Sequence, residues 1–299
     1  MSTGIYCRGF ATVGVLAIAG WMQPSAAETI ECNEIDSIPA VISTQGVYCL
    51  KHHVSGSLAS GNAITINTNN VTIDCNEFKI GNLAAGPGTQ ATGISAVGKI
   101  NVTVRNCGIR GFQTGVSLLN GEARVEDNRF DGNTRTAILV TGSGSAIRRN
   151  EVIDTGGGTA SGVTQIEGIR ASGGMDVIDN TISGVVATSG STGNVYGILL
   201  QNMDAGTVKG NRVRELVPAG SGFRRGIWVD SGNRVSVKSN TVVLNGGLLT
   251  LDAGIRCGEA LVLNGVAQDN TVLGTGALSL ALGLVNCNSL GGSNYVNPL

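Results

Sequence analysis

Few side chains in this 299-residue sequence could do chemistry, and those that could keep a common spacing. Arg170, Trp228 and Arg256 each directly follow an isoleucine, and Leu199 holds the equivalent place between them. Two positions further along stand Ser172, Gln201, Asp230 and Gly258. Planar guanidinium groups suit the carboxylates of acidic sugars, and a tryptophan ring offers a flat apolar face to a sugar or a cation. Arg170, Asp230 and Arg256 are therefore the catalytic candidates. Trp228, Gln201, Tyr196, Glu167 and Arg225 are the candidates for holding substrate, with Arg224 and Asp252 nearby. Plainer readings stand beside these: Trp228 as a small satellite core under the loop from Val217 to Arg225, and the arginines as solvated partners of Glu167 and Asp230.

The chemistry these residues permit is bounded. Glycoside hydrolysis needs two carboxyl groups across the scissile bond, and only Asp230, with Glu167 or Asp252, could supply them. A lyase needs a base beside an acidified proton, commonly with Ca²⁺ held by several carboxylates. The acids here are too sparse to support a calcium site, so no metal or other cofactor is expected. No Cys-x-x-Cys pair occurs, and the two histidines, His52 and His53, are adjacent.

These residues need a scaffold that repeats. One phrase recurs: an apolar residue, two polar ones, Asn, any residue, then an apolar one, as in Val125-Glu-Asp-Asn128-Arg-Phe130. Asn76, Asn128, Asn150, Asn180, Asn211, Asn240 and Asn270 hold the Asn place, with Cys107 standing in once, at intervals of 31, 21, 22, 30, 31, 29 and 30 residues. A second phrase keeps step with it, a small residue before Ile, Val or Leu, running from Ala63-Ile64 through Gly168-Ile169 to Gly283-Leu284. Units this small cannot bury their own apolar faces, so they must stack. Like residues then form columns about 4.8 Å apart, and the asparagines, which tolerate left-handed turn angles, become a structural ladder. Forty-six glycines and only 4% aromatic residues fit many short strands joined by tight turns.

The paired phrases resemble the right-handed parallel β-helix superfamily, to which pectate lyases belong, over about residues 56 to 296. The expectation is an all-β, single-stranded right-handed parallel β-helix of about eight to nine coils. The resemblance implies a substrate groove over the Gly-Ile sheet, and long segments such as 154–167 leave one edge of that sheet and wall it. It does not specify an activity. The Asn-Thr-Asp and Gly-His-Gly of polygalacturonases, the Asp-Pro-His-Asp of alginate epimerases and the Trp-Ile-Asp-His of pectate lyases are all missing. Two functions remain open: a lyase-like enzyme contacting polysaccharide, acidic polysaccharide included, or a non-catalytic exported scaffold, glycan-binding or adhesion module.

The ends complete the reading. Residues 1–27 have the layout of a signal peptide: Arg8, a short apolar run, then Ser25-Ala26-Ala27. That run is too short for the roughly 20 residues that cross a bilayer, so no membrane span remains after processing and a secreted or periplasmic location is expected. The remaining chain, with 21 acidic and 19 basic residues, has a net charge of −2, which offers nothing to nucleic acid. Residues 28–55 read as an N-terminal cap over the open end of a helix spanning 56–299. Six cysteines in an oxidising compartment read as disulfides. Cys32 and Cys49 both fall in the cap, while Cys75 with Cys107, and Cys257 with Cys287, lie one position out of step on adjacent coils.

Overall fold

The computed structural model describes residues 31–188, 193–246, 251–258, 265–274, 284–285 and 294–298. The expected leader, 1–27, lies outside the described residues, as does Cys287. Apart from one 3-10 turn, Leu83–Ala85, and a two-stranded pair, Met203–Asp204 with Gly232–Asn233, the described elements are strands of two to eight residues in three ten-stranded parallel sheets. Each coil contributes one strand to each sheet in turn. Sheet 1 includes Val102–Arg105 and Ala123–Glu126, sheet 2 includes Gly108–Arg110 and Arg129–Asp131, and sheet 3 includes Thr114–Leu119 and Thr136–Thr141. The segment 33–55 supplies the outermost strand of all three, Asn33–Glu34, Val54–Ser55 and Ala40–Ile42, so it is built into the solenoid as its terminal strands.

Alternation explains the core. The isoleucines and valine of the second phrase, from Ile64 through Val116 to Ile255, are fully buried in one column of sheet 3. The small residue before each has a different reason. A Cβ on Gly197 would sit 2.3 Å from Val213 Cγ1 and 2.5 Å from the Gly226 carbonyl oxygen. Glycine and alanine are used here because sheet 3 crosses close to the side chains of sheet 2.

The corner between sheets 1 and 2 carries the ladder. Asn150 Oδ1 accepts from both the N–H and Nδ2 of Asn128, at 3.1 and 3.0 Å, while Asn150 Nδ2 donates to the Val125 carbonyl at 2.8 Å. The same pattern links Asn150, Asn180, Asn211, Asn240 and Asn270, and it ends on Asn294, a rung that the repeat did not disclose. The left-handed residue is not the ladder asparagine. It is the one before it: Asp127, Arg149, Asp179, Gly210, Ser239 and Asp269 have φ between 53° and 68°, or in Arg149 52°. Turning the chain one residue early lets the next amide enter the stack with its own N–H aimed at the following rung. Asn76 differs, with φ 48° and Nδ2 donating to the Leu50 carbonyl; the rung after it is Cys107, whose N–H donates to Asn128 Oδ1.

Two disulfides join the described residues, Cys32–Cys49 and Cys75–Cys107. The one-position offset of the second is absorbed by a longer turn, 75–78, where later coils need two residues. Cys257 is disulfide-bonded as well.

Candidate functional site

Coil length varies chiefly where sheet 2 crosses to sheet 3. The connection is 111–113 and 132–135 in two successive coils, but 82–91 before them and 157–164 after them. The later long connection leans back across the short ones, and Thr159 N–H donates to the Pro87 carbonyl at 3.0 Å. Beside this strap, on the outer face of sheet 3, lies a groove of about 470 Å³. Its floor and walls include Arg135, Thr136, Leu139, Glu167, Arg170 and Gln201.

Simple alternation would turn Glu167 inward, because it is two residues from buried Ile169. The strand pairing skips the glycine between them: Glu167 pairs with Tyr196 and Ile169 with Ile198, with no partner pair at Gly168. The pleat is reset there, and the residue before the small one joins the outer face. This column reads Thr136, Glu167, Tyr196, Arg225.

Glu167 is 1% exposed and well held. The Thr136 hydroxyl donates to its Oε2 at 2.9 Å, and Arg170 Nη1 approaches its Oε1 at 3.4 Å. Burial pushes its carboxyl above the ordinary glutamate value, while the Arg170 charge, the Thr136 hydrogen bond and the Arg135 charge pull it back. Arg170 then donates through Nη2 to Gln201 Oε1 at 2.7 Å, and Gln201 Nε2 donates to Asp230 Oδ2 at 3.2 Å. One chain of contacts thus runs across four rungs, from Thr136 to Asp230. Arg135 Nε is buried and has no hydrogen-bond partner among the described residues.

The remaining candidates gather one step further along the solenoid. The Arg225 guanidinium lies 3.9 Å from the centre of the Trp228 ring and 4.3 Å from that of Phe223. Tyr196 stacks with Trp228 at 5.3 Å and meets Phe223 edge-on at 5.9 Å. Burial, opposed chiefly by Arg225, pushes the Tyr196 hydroxyl up to about 12. In this cluster the partly buried Trp228 packs against Arg225 and Tyr196 in the manner of a satellite core, and it does not line the groove. Arg256 is the rung neighbour of Trp228, and Asp252 pairs with buried Arg224 at 2.9 Å. Asp230 lies two rungs from Glu167, at roughly 4.8 Å per rung, and on that rung it stands five residues beyond Arg225, the residue in the same column as Glu167. The two carboxyls therefore do not face each other across a single bond. Among the described residues no cluster of three or more His, Cys, Asp and Glu could hold a metal ion.

Arg135 and Thr136 are not among the sequence candidates, because alternation from Ile138 puts only Leu139 on the outer face of that coil. Reading the outer face back past the small residue would have found Thr136 and Arg135.

Three stacked parallel sheets, an internal amide ladder and one loop-walled face define a right-handed parallel β-helix with a lateral groove. The family model for a right handed beta helix region matches residues 93–278, and the chain belongs to that family. It is also similar to the solved Dettilon tailspike protein (gp208), at 14% identity and a TM-score of 0.47. That match covers 89% of this chain, which spans 60% of the tailspike chain. No curated protein matches the sequence. No helix among the described residues is long and apolar enough to cross a membrane.

Proposed function

We propose that this protein binds polysaccharide in the groove over sheet 3, with a preference for acidic sugars, and acts as an exported glycan-binding module. The observation that carries this reading is the groove's composition: two guanidinium groups, Arg135 and Arg170, set around a single buried carboxyl, beside the apolar Leu139 and the hydrogen-bonding Gln201. An anionic sugar in such a groove meets two guanidinium groups able to form charge-assisted hydrogen bonds with it. Export is supported by the leader-like residues 1–27 and by the disulfides, and the processed chain is expected to begin at Glu28, as read by mass spectrometry of the exported protein.

The test is titration of the processed chain with oligogalacturonate and with a neutral oligosaccharide of similar length. Arg170→Ala is expected to weaken oligogalacturonate binding by about tenfold, the effect of losing one charge-assisted contact, with the fold intact by circular dichroism. If no glycan binds, or if the variant binds as tightly, the groove is not the site.

A lyase-like activity is the second reading, favoured by one feature: a buried carboxyl touching a guanidinium, which could serve as a base beside a neutralised uronate. New absorbance from unsaturated ends after incubation with pectate or alginate would establish it.

A further inference from the structure

Glu167 is an expensive residue for a binding groove to keep. It is almost wholly buried, and it occupies the charge of one of the two arginines that an anionic ligand would seek. A glutamine there could accept the same Thr136 hydrogen bond without opposing an anion. An ionisable group in this place makes the groove's charge adjustable, which a glutamine cannot do.

We propose that Glu167 is the specificity-determining residue of the groove: it is the internal counter-ion of Arg170, and an anionic sugar is accepted together with one proton on Glu167. This rests on the reading of the groove as a glycan site. The groups facing Glu167 support it. From the preceding rung come Thr136 and Arg135, from its own strand Arg170, and from the next rung Tyr196, with Arg225 beyond it and Asp230 reached through Gln201. Tyr196 stays neutral because burial pushes its hydroxyl up to about 12, and the other carboxyl of this surrounding, Asp230, meets Glu167 only through Gln201 and Arg170.

The sign follows from its partners. Burial already raises the Glu167 carboxyl above its ordinary value, and Arg170 and Arg135 restrain that rise. An anion drawn to these guanidiniums brings its own negative charge, occupies their donors and excludes water. All three effects favour the neutral carboxylic acid. Between the free and the bound values, binding takes up a proton, so affinity falls as pH rises. Linkage limits the slope to one proton, at most about tenfold in affinity per pH unit.

The experiment uses the processed chain and three probes: oligogalacturonate, a sulfated oligosaccharide whose charge does not titrate in this range, and a neutral oligosaccharide. Calorimetry in two buffers of different ionisation enthalpy reads proton uptake on the unaltered protein, with no variant needed. The expected result is uptake approaching one proton with both anionic probes and tighter binding at lower pH. Glu167→Gln should bind them several-fold more tightly at the upper end of the pH range and show no pH slope. Uptake of no protons by the unaltered protein, or a slope that survives in Glu167→Gln, overturns the proposal. Equal binding of neutral and anionic probes overturns it while leaving the glycan site in place. Failure of all three probes to bind removes both.

Discussion

The corner between sheets 1 and 2 and the outer face of sheet 3 are built on the same coils, yet they follow opposite rules. At the corner every rung from Asn128 to Asn270 repeats one residue and one hydrogen-bond pattern, because each side-chain oxygen accepts from the amide group of the rung before it. On the outer face, the rung neighbours Thr136, Glu167, Tyr196 and Arg225 are all different. Nothing in the stacking demands that they match, so they are free to differ. Repetition marks what holds the solenoid together, and its failure marks where a ligand could be recognised.

The comparison breaks first, and hardest, at the ladder. Replacing Asn180 with alanine removes the acceptor of the buried Asn150 N–H and the donor to the Ile147 carbonyl. Buried polar groups left unpaired cost about 1–3 kcal/mol each, so a loss of about 4 kcal/mol is expected in denaturant unfolding. Asn76→Ala serves as the contrast. That residue is partly exposed and sits in a different turn, donating to the Leu50 carbonyl, and it should cost about 1 kcal/mol. Equal costs at the two positions would mean that the stacked amides contribute no more than an ordinary turn residue.

A second break tests why the small residue accompanies every isoleucine of sheet 3. Gly197→Ala drives a methyl against Val213 and the Gly226 carbonyl, where backbone cannot step aside. Overpacking of this kind costs about 3 kcal/mol, measurable as a lowered unfolding midpoint. Gly61→Ala meets nothing within 4 Å and differs only through its φ of 84°, so a smaller loss, near 1 kcal/mol, is expected there. If both substitutions cost the same, backbone conformation and not close approach selects the glycine.

The same division explains what could be read in advance. The ladder asparagines and the Gly-Ile columns are legible because stacking imposes one period on both. The rung at Asn294 escaped because no phrase announces it. The outer face was half legible: Glu167, Arg170 and Gln201 are found by alternation or by the loops that flank them, whereas Thr136 and Arg135 depend on a pleat reset at the small residue. That reset is a consequence of sheet 3 crossing close to sheet 2, which only three-dimensional packing reveals. Trp228 is a different case. Its residue type suggests a sugar platform, while its contacts, with Arg225 on its own strand and Tyr196 on the preceding rung, are fixed by packing that alternation alone does not disclose.

Trp228 also gives the smallest expected effect, and the one that sharpens the border between groove and satellite core. Its indole N–H is buried with no hydrogen-bond partner among the described residues. Phenylalanine there would lose some ring area but shed that unpaired donor, and Arg225 would keep an aromatic face to lie on. Trp228→Phe should therefore change stability by less than about 1 kcal/mol and leave oligogalacturonate affinity within about twofold. Trp228 is the sole tryptophan outside the first 27 residues. Its fluorescence in the processed chain should accordingly resist iodide quenching, and ligand should alter that quenching little. A tenfold loss of affinity in the variant, or strong protection of the fluorescence by ligand, would extend the groove past Gln201 onto the aromatic cluster. The boundary between the two regions would then have to be drawn one rung further along.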